Sequence, residues 1–165
     1  MIDVMKIKDL TDDLEGTKCF KDFKKEYPHS FLYAIFLILS KEKESDKIQI
    51  DYFLPGLDKI ASFEWPFKEV KIHEDEIKNC VKQDINNLKV DLDNLDDVID
   101  KAIKDNNSKI NVKKIIGILK GDEFNITCLD NAMGIVRMNF NALTGECLKF
   151  DKSSLGNFMK VKKVE

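Results

Sequence analysis

Residues 123–150, EFNITCLDNAMGIVRMNFNALTGECLKF, decide how this chain is read. Phe124, Ile126 and Cys128 alternate with polar residues, and so do Val136, Met138 and Phe140. That period of two is the mark of strands with one buried face, and the intervening Asp130 to Gly134 predicts a hairpin loop. Thr144-Gly145-Glu146 then predicts a tight reversal into a return strand, because glycine accepts the positive φ such turns require.

Moving this stretch back by 88 positions lays it on residues 35–62 without a gap. Phe124 and Ile126 fall on Phe36 and Ile38, and Val136, Met138 and Phe140 fall on Ile48, Ile50 and Tyr52. Leu148 meets Ile60. The expectation is an internal repeat whose first copy is less regular, since Gly145 overlies Leu57 rather than Gly56.

Outward from there, Thr17 predicts an N-cap for a short helix to Tyr27, with Phe20, Phe23 and Tyr27 on one face and Pro28 as terminator. Residues 1–16 read as a short helix or an arm. Phe31 to Leu39 is apolar at every position, which predicts a central strand covered on both faces. Strands are expected at 47–53 and 59–65, the second stopped by Pro66. Ile77, Cys80, Val81, Ile85 and Leu88 have helical spacing and predict an amphipathic helix over 75–88. A second helix is expected over 94–105, with Asn94 as N-cap, and strands near 111–119, 123–129, 134–141 and 146–150.

The fold class expected is therefore α+β, two repeated units each of a helix plus an antiparallel β-meander, over residues 1–72 and 73–165, packed as one body. The helix Leu95 to Ile103, the strands around Ile115 to Ile118, Phe124 to Cys128 and Val136 to Phe140, and the turn Thr144-Gly145-Glu146-Cys147-Leu148 together resemble a PepSY-type domain. The resemblance is best over 94–150, with a degenerate repeat over 17–65, and implies a PepSY-like or cystatin-like arrangement. It also implies a small non-catalytic module that binds or inhibits peptidases.

Composition narrows the function classes. The 165 residues carry 27 Lys and Arg against 30 Asp and Glu, a net charge of −3 that argues against nucleic acid or an anionic membrane as partner. No apolar run reaches the roughly 20 residues of a spanning helix, and residues 1–14 do not read as a signal peptide, so a cytoplasmic protein is the expectation. Cys19, Cys80, Cys128 and Cys147 form no Cys-x-x-Cys pair and read as reduced and structural, with a Cys128–Cys147 approach the one exception to check. An EF-hand from Asp91 fails because Leu95, Asp96 and Ala102 occupy its fifth, sixth and twelfth positions; helix capping accounts for these acids instead. His29 and His73 read as surface or cap residues, and no phosphate loop or nucleophile elbow is present.

These observations predict no catalytic residue, no cofactor and no metal. They predict a protein- or peptide-binding module that works through Phe63, Trp65 and Phe67, placed on one face at strand spacing, with contributions from Tyr33 and Tyr52. One alternative is a small-ligand binder or unrecognised enzyme with a pocket between the units, where Tyr33, Tyr52, His29 and Asp51 would converge. Another is a homodimer joined through strand 31–39.

Overall fold

The computed structural model describes residues 5–41, 46–74 and 80–154. Three short helices and eight strands occur among them: α1 (Ile7–Glu15), α2 (Lys18–Glu26), β1 (Phe31–Ser40), β2 (Lys47–Leu54), β3 (Lys59–Glu64), β4 (Val70–Glu74), α3 (Leu95–Asp105), β5 (Lys114–Lys120), β6 (Glu123–Leu129), β7 (Gly134–Asn141) and β8 (Cys147–Ser154). All eight strands join one antiparallel sheet in the order β4-β3-β2-β1-β5-β6-β7-β8.

This overturns the expectation of two repeated helix-plus-meander units. The shift by 88 sends β1 onto β6, β2 onto β7 and β3 onto β8, yet β1 lies fourth in the sheet beside β5, whereas β6 lies sixth. The shifted strands do keep matching partners, β1-β2-β3 against β6-β7-β8, but both runs flank β5 in one continuous sheet rather than forming two separate meanders. What the shift detects is the alternation common to two three-stranded antiparallel runs of that single sheet, not two independent units.

Each element has a local cause. Thr17 caps α2, its hydroxyl oxygen accepting from Phe20 N at 3.2 Å. Residues 80–88 do not form the expected helix, and 75–79 lie outside the described residues. Gln83 N donates to the Leu32 carbonyl at 2.7 Å, so this segment is tied to the start of β1 and Val81 is left 68% exposed. Strand β4 had no alternating signal because four of its five side chains face solvent at the sheet edge.

The helices cover one face of the sheet. Leu10 and Leu14 of α1, Phe20 and Phe23 of α2, and Ile99 and Ile103 of α3 share one core with Ile35, Ile50, Phe63, Leu119, Phe124 and Phe140 from the strands. Strand β1 is central, but its cover is unequal. Leu37 is buried beneath the helix layer, whereas Phe36 and Ile38 are only half-buried on the other face.

Candidate functional site

Register places the side chains of the face opposite the helices. Phe36 of β1 stands opposite Ile118 of β5, and Ile38 opposite Ile116. All four are half-buried and form an apolar strip on the two central strands. Polar residues flank it: Gln49 pairs with Phe36 on one side, and Asn125 and Thr127 pair with Ile118 and Ile116 on the other. An apolar centre with a polar rim is the anatomy of a protein-binding surface.

Beyond Gln49 the face turns polar. Asp51 and Ser62 are cross-strand partners, both buried, and Ser62 Oγ donates to Asp51 Oδ1 at 2.7 Å. Gln49 Nε2 donates to the same carboxylate oxygen at 2.9 Å, and His73 Nε2 lies 2.9 Å from Ser62 Oγ. With the Ser62 hydroxyl donating to Asp51 Oδ1, His73 Nε2 is left as the donor to Ser62 Oγ. The order is acid, serine, histidine. In a hydrolytic triad the histidine stands between the other two and takes the serine proton, which His73 cannot do while protonated at Nε2. The cluster is a hydrogen-bonded network that lets a buried carboxylate sit on a sheet face.

The aromatic residues singled out from the sequence separate. Phe63 is fully buried in the helix-side core, 5.0 Å from Phe23 and 5.9 Å from Tyr52 between ring centroids. Phe67 is buried too, with φ +65 directly after the cis Trp65-Pro66 bond. Trp65 alone remains 46% exposed. Strand β3 ends at Glu64, so strand alternation does not carry through Pro66 and the three residues share no face. Trp65 and Pro66 instead wall a groove with Gln49, Ser62, Glu64 and Lys71, of about 410 Å³, at the margin of the apolar strip.

Tyr33 and Tyr52 lie on opposite faces. The β1–β2 register slips between Leu32 and Ala34, and the extra residue of this bulge is Tyr33. Tyr33 therefore points to the face opposite the helices, where it is buried, with Lys120 Nζ 4.9 Å from its ring and Phe53 and Cys80 packed nearby. Tyr52 is in the helix-side core, and burial pushes its hydroxyl pKa up, so it stays protonated. His29 is exposed in a small notch beside Pro28 and Pro55. Tyr33, Tyr52, His29 and Asp51 thus do not converge on one pocket.

The cysteines also separate. Cys128 stands opposite Val136 and Cys147 opposite Phe140, so β7 lies between them and they sit toward opposite ends of their strands. Burial pushes the Cys128 thiol up to about 12, which makes it unreactive. No group of three or more potential metal ligands occurs among the described residues. Among them, too, no helix is long and apolar enough to cross a membrane.

No family model matches the chain, and no curated protein matches it. A similar solved structure is that of a "putative lipoprotein" from Clostridium difficile 630, which is 13% identical. The likeness covers 81% of this chain and 89% of that one at a TM-score of 0.53. At that identity the likeness is one of fold.

The strip itself escaped the sequence reading, although its residues were visible there. The continuous apolar run predicts cover on both sides of Phe36 and Ile38, and Ile116 and Ile118 fall inside the strand expected near 111–119. Only the pairing of β1 with β5 brings the four together.

Proposed function

We propose that this protein is a non-enzymatic protein-binding module that engages its partner with the half-exposed strip on the sheet face opposite the helices, the kind of role the PepSY-type resemblance implies. The observation that carries the reading is the cross-strand strip of Phe36, Ile38, Ile116 and Ile118, half-buried on the face opposite all three helices. Burying such a strip contributes roughly 25 cal/mol per Å² of apolar area removed from water. Trp65, exposed beside the strip, is the residue type most often found at the energetic centre of interfaces.

The experiment places a photo-crosslinking residue at position 118 or, as control, at exposed Lys101 on α3. Partner labelled from position 118 and not from 101, and lost when Ile116→Lys and Ile118→Lys are combined, is the expected result. Both changes are at half-buried surface positions, so the melting temperature should stay close to that of the parent chain. Labelling from both positions alike, or binding indifferent to the two lysines, would overturn the reading. Light scattering on the same samples identifies the case in which the occupant is a second copy of the chain.

A further inference from the structure

A second surface lies at the edge of the sheet and does not depend on the reading above. Strand β4 ends the sheet order and pairs on one side only among the described residues. Register shows which of its backbone groups that leaves over. Trp65, one residue beyond β3, donates its N–H to the Ile48 carbonyl, so the odd-numbered residues of β3 bond toward β2. Ile60 and Ser62 then bond toward β4, and their partners His73 and Lys71 point their own N–H and C=O groups inward. Val70, Ile72 and Glu74 point theirs away from the sheet, where no backbone bond reaches them among the described residues.

A groove of about 460 Å³ lies between this strand and α2. Cys19, Phe23 and Tyr27, four residues apart along α2 and its C-cap, form one wall, and Val70 and Ile72 form the other. Val70 stands opposite Phe63 and Ile72 opposite Ala61, both in the helix-side core, so the groove is on the helix side. Burial first, then Asp22 and Glu69, raise the Cys19 thiol pKa, which puts the start of α2 beside the start of β4. At the other end, Glu26 and Tyr27 share a notch with Leu54, which pairs with Lys59, the partner of Glu74. From Cys19 to Tyr27 a helix rises about 12 Å, and from Glu69 to His73 a strand covers about 13 Å. The groove therefore follows the free edge along its length, with Ile72 40% exposed in it.

We propose that an extended peptide segment of another protein adds to β4 as a further antiparallel strand. Its residues opposite Val70 and Ile72 exchange both backbone bonds with them, and the pleat turns those same two side chains into the groove. Both are apolar, to match Phe23, Val70 and Ile72. Exposed Glu74 calls for a basic residue opposite it, and exposed Lys71, on the other face, for an acidic one. Neither Glu74 nor Lys71 forms an ion pair among the described residues. Along an antiparallel partner these demands read basic, polar, apolar, acidic, apolar, as in the peptide Lys-Thr-Val-Glu-Val. A small molecule in the groove would leave the row of edge N–H and C=O groups unpaired.

Fluorescence anisotropy of that peptide, dye-labelled and capped at both ends, tests this on the full chain. Saturable binding is expected, and about tenfold weaker binding of Glu-Thr-Val-Lys-Val, which sets like charges against Glu74 and Lys71. N-methylation separates backbone pairing from filling of the groove. On the central valine it removes an N–H aimed at the Ile72 carbonyl and should abolish binding; on the glutamate, whose N–H points away, it should be tolerated. Ile72→Lys, at the exposed edge, should abolish binding with the melting temperature close to the parent's. Should it unfold the chain, Glu74→Lys at an exposed position carries the test, with binding about tenfold weaker. Ile116→Lys combined with Ile118→Lys, on the opposite face, should leave the peptide bound. No binding at about 1 mM peptide, where a millimolar complex would be half filled, overturns the proposal. So do equal affinities of the two N-methyl peptides, or loss of binding in the Ile116→Lys and Ile118→Lys variant. Dimerisation of the free chain that Ile72→Lys abolishes would overturn it too, assigning the edge to a second copy.

Discussion

Asp91 shows how one side chain joins distant parts of the chain. Its Oδ1 accepts from Ile7 N and from Leu92 N, both at 2.7 Å, so it caps the first turn of α1 from across the molecule. The sequence alone predicts that the acidic run around it caps α3. In fact Asn94 occupies the N-cap position of α3 without a side-chain cap bond, because its oxygen accepts from Asp91 N at 2.8 Å. Burial raises the Asp91 pKa above 3.8, against the lowering effect of the two backbone donors. The folded chain therefore holds this proton more tightly than the unfolded chain does. Its contribution favours folding as pH falls through the interval between 3.8 and the raised value, and that gain is lost as pH rises. Urea unfolding at acid and neutral pH should show the parent chain losing stability relative to Asp91→Asn as pH rises. An unchanged or opposite difference would refute the assignment. Asp91→Ala, which strands two buried donors, should cost about 1–3 kcal/mol at neutral pH.

Among the elements, β5 carries a tight packing constraint inside the core. Gly117 stands opposite Leu37 and Ile126, and a Cβ there would meet Phe124 Cε1 at 3.0 Å and Leu37 Cδ1 at 3.3 Å. Both neighbours are buried with no room to withdraw, so Gly117→Ala should destabilise by about 1–3 kcal/mol through overpacking, despite alanine's lower backbone entropy. Thermal unfolding measures this, and a rise in melting temperature would show that the Phe124 ring yields. Elements with one strong local signal were legible in the sequence: β6 and β7 occupy the expected residues, and α2 follows its Thr17 cap. The 75–88 spacing misled over its described part, because Ile85 and Leu88 reach the core without a helix while a backbone bond from Gln83 to Leu32 ties the segment to β1 and leaves Val81 exposed. The candidate site was less legible. Phe63 and Trp65 look alike as alternating aromatics, and only the end of β3 before the cis Pro66 separates a core side chain from an exposed one.

For the whole molecule, the decisive information is which strands become neighbours, and local alternation does not encode that. Six of the seven strand pairings join consecutive strands. The seventh, β1 with β5, brings Ile35 to Leu119 and Ser40 to Lys114, partners about half the chain apart. The apolar strip on one face and the continuous core on the other both depend on this seam. It also has a kinetic consequence. The hairpins can close quickly and independently, but the seam must close a long loop before its contacts repay the lost chain entropy. Folding should therefore wait on the meeting of β1 and β5. In stopped-flow refolding, Leu37→Ala and Ile115→Val are expected to slow folding by most of the stability they remove, whereas Val136→Ala in β7 should act mainly by speeding unfolding. The reverse partition would place the barrier inside a hairpin. If the expected partition holds, the middle of the sheet forms at the rate-limiting step, and the outer strands attach to a centre that is already set.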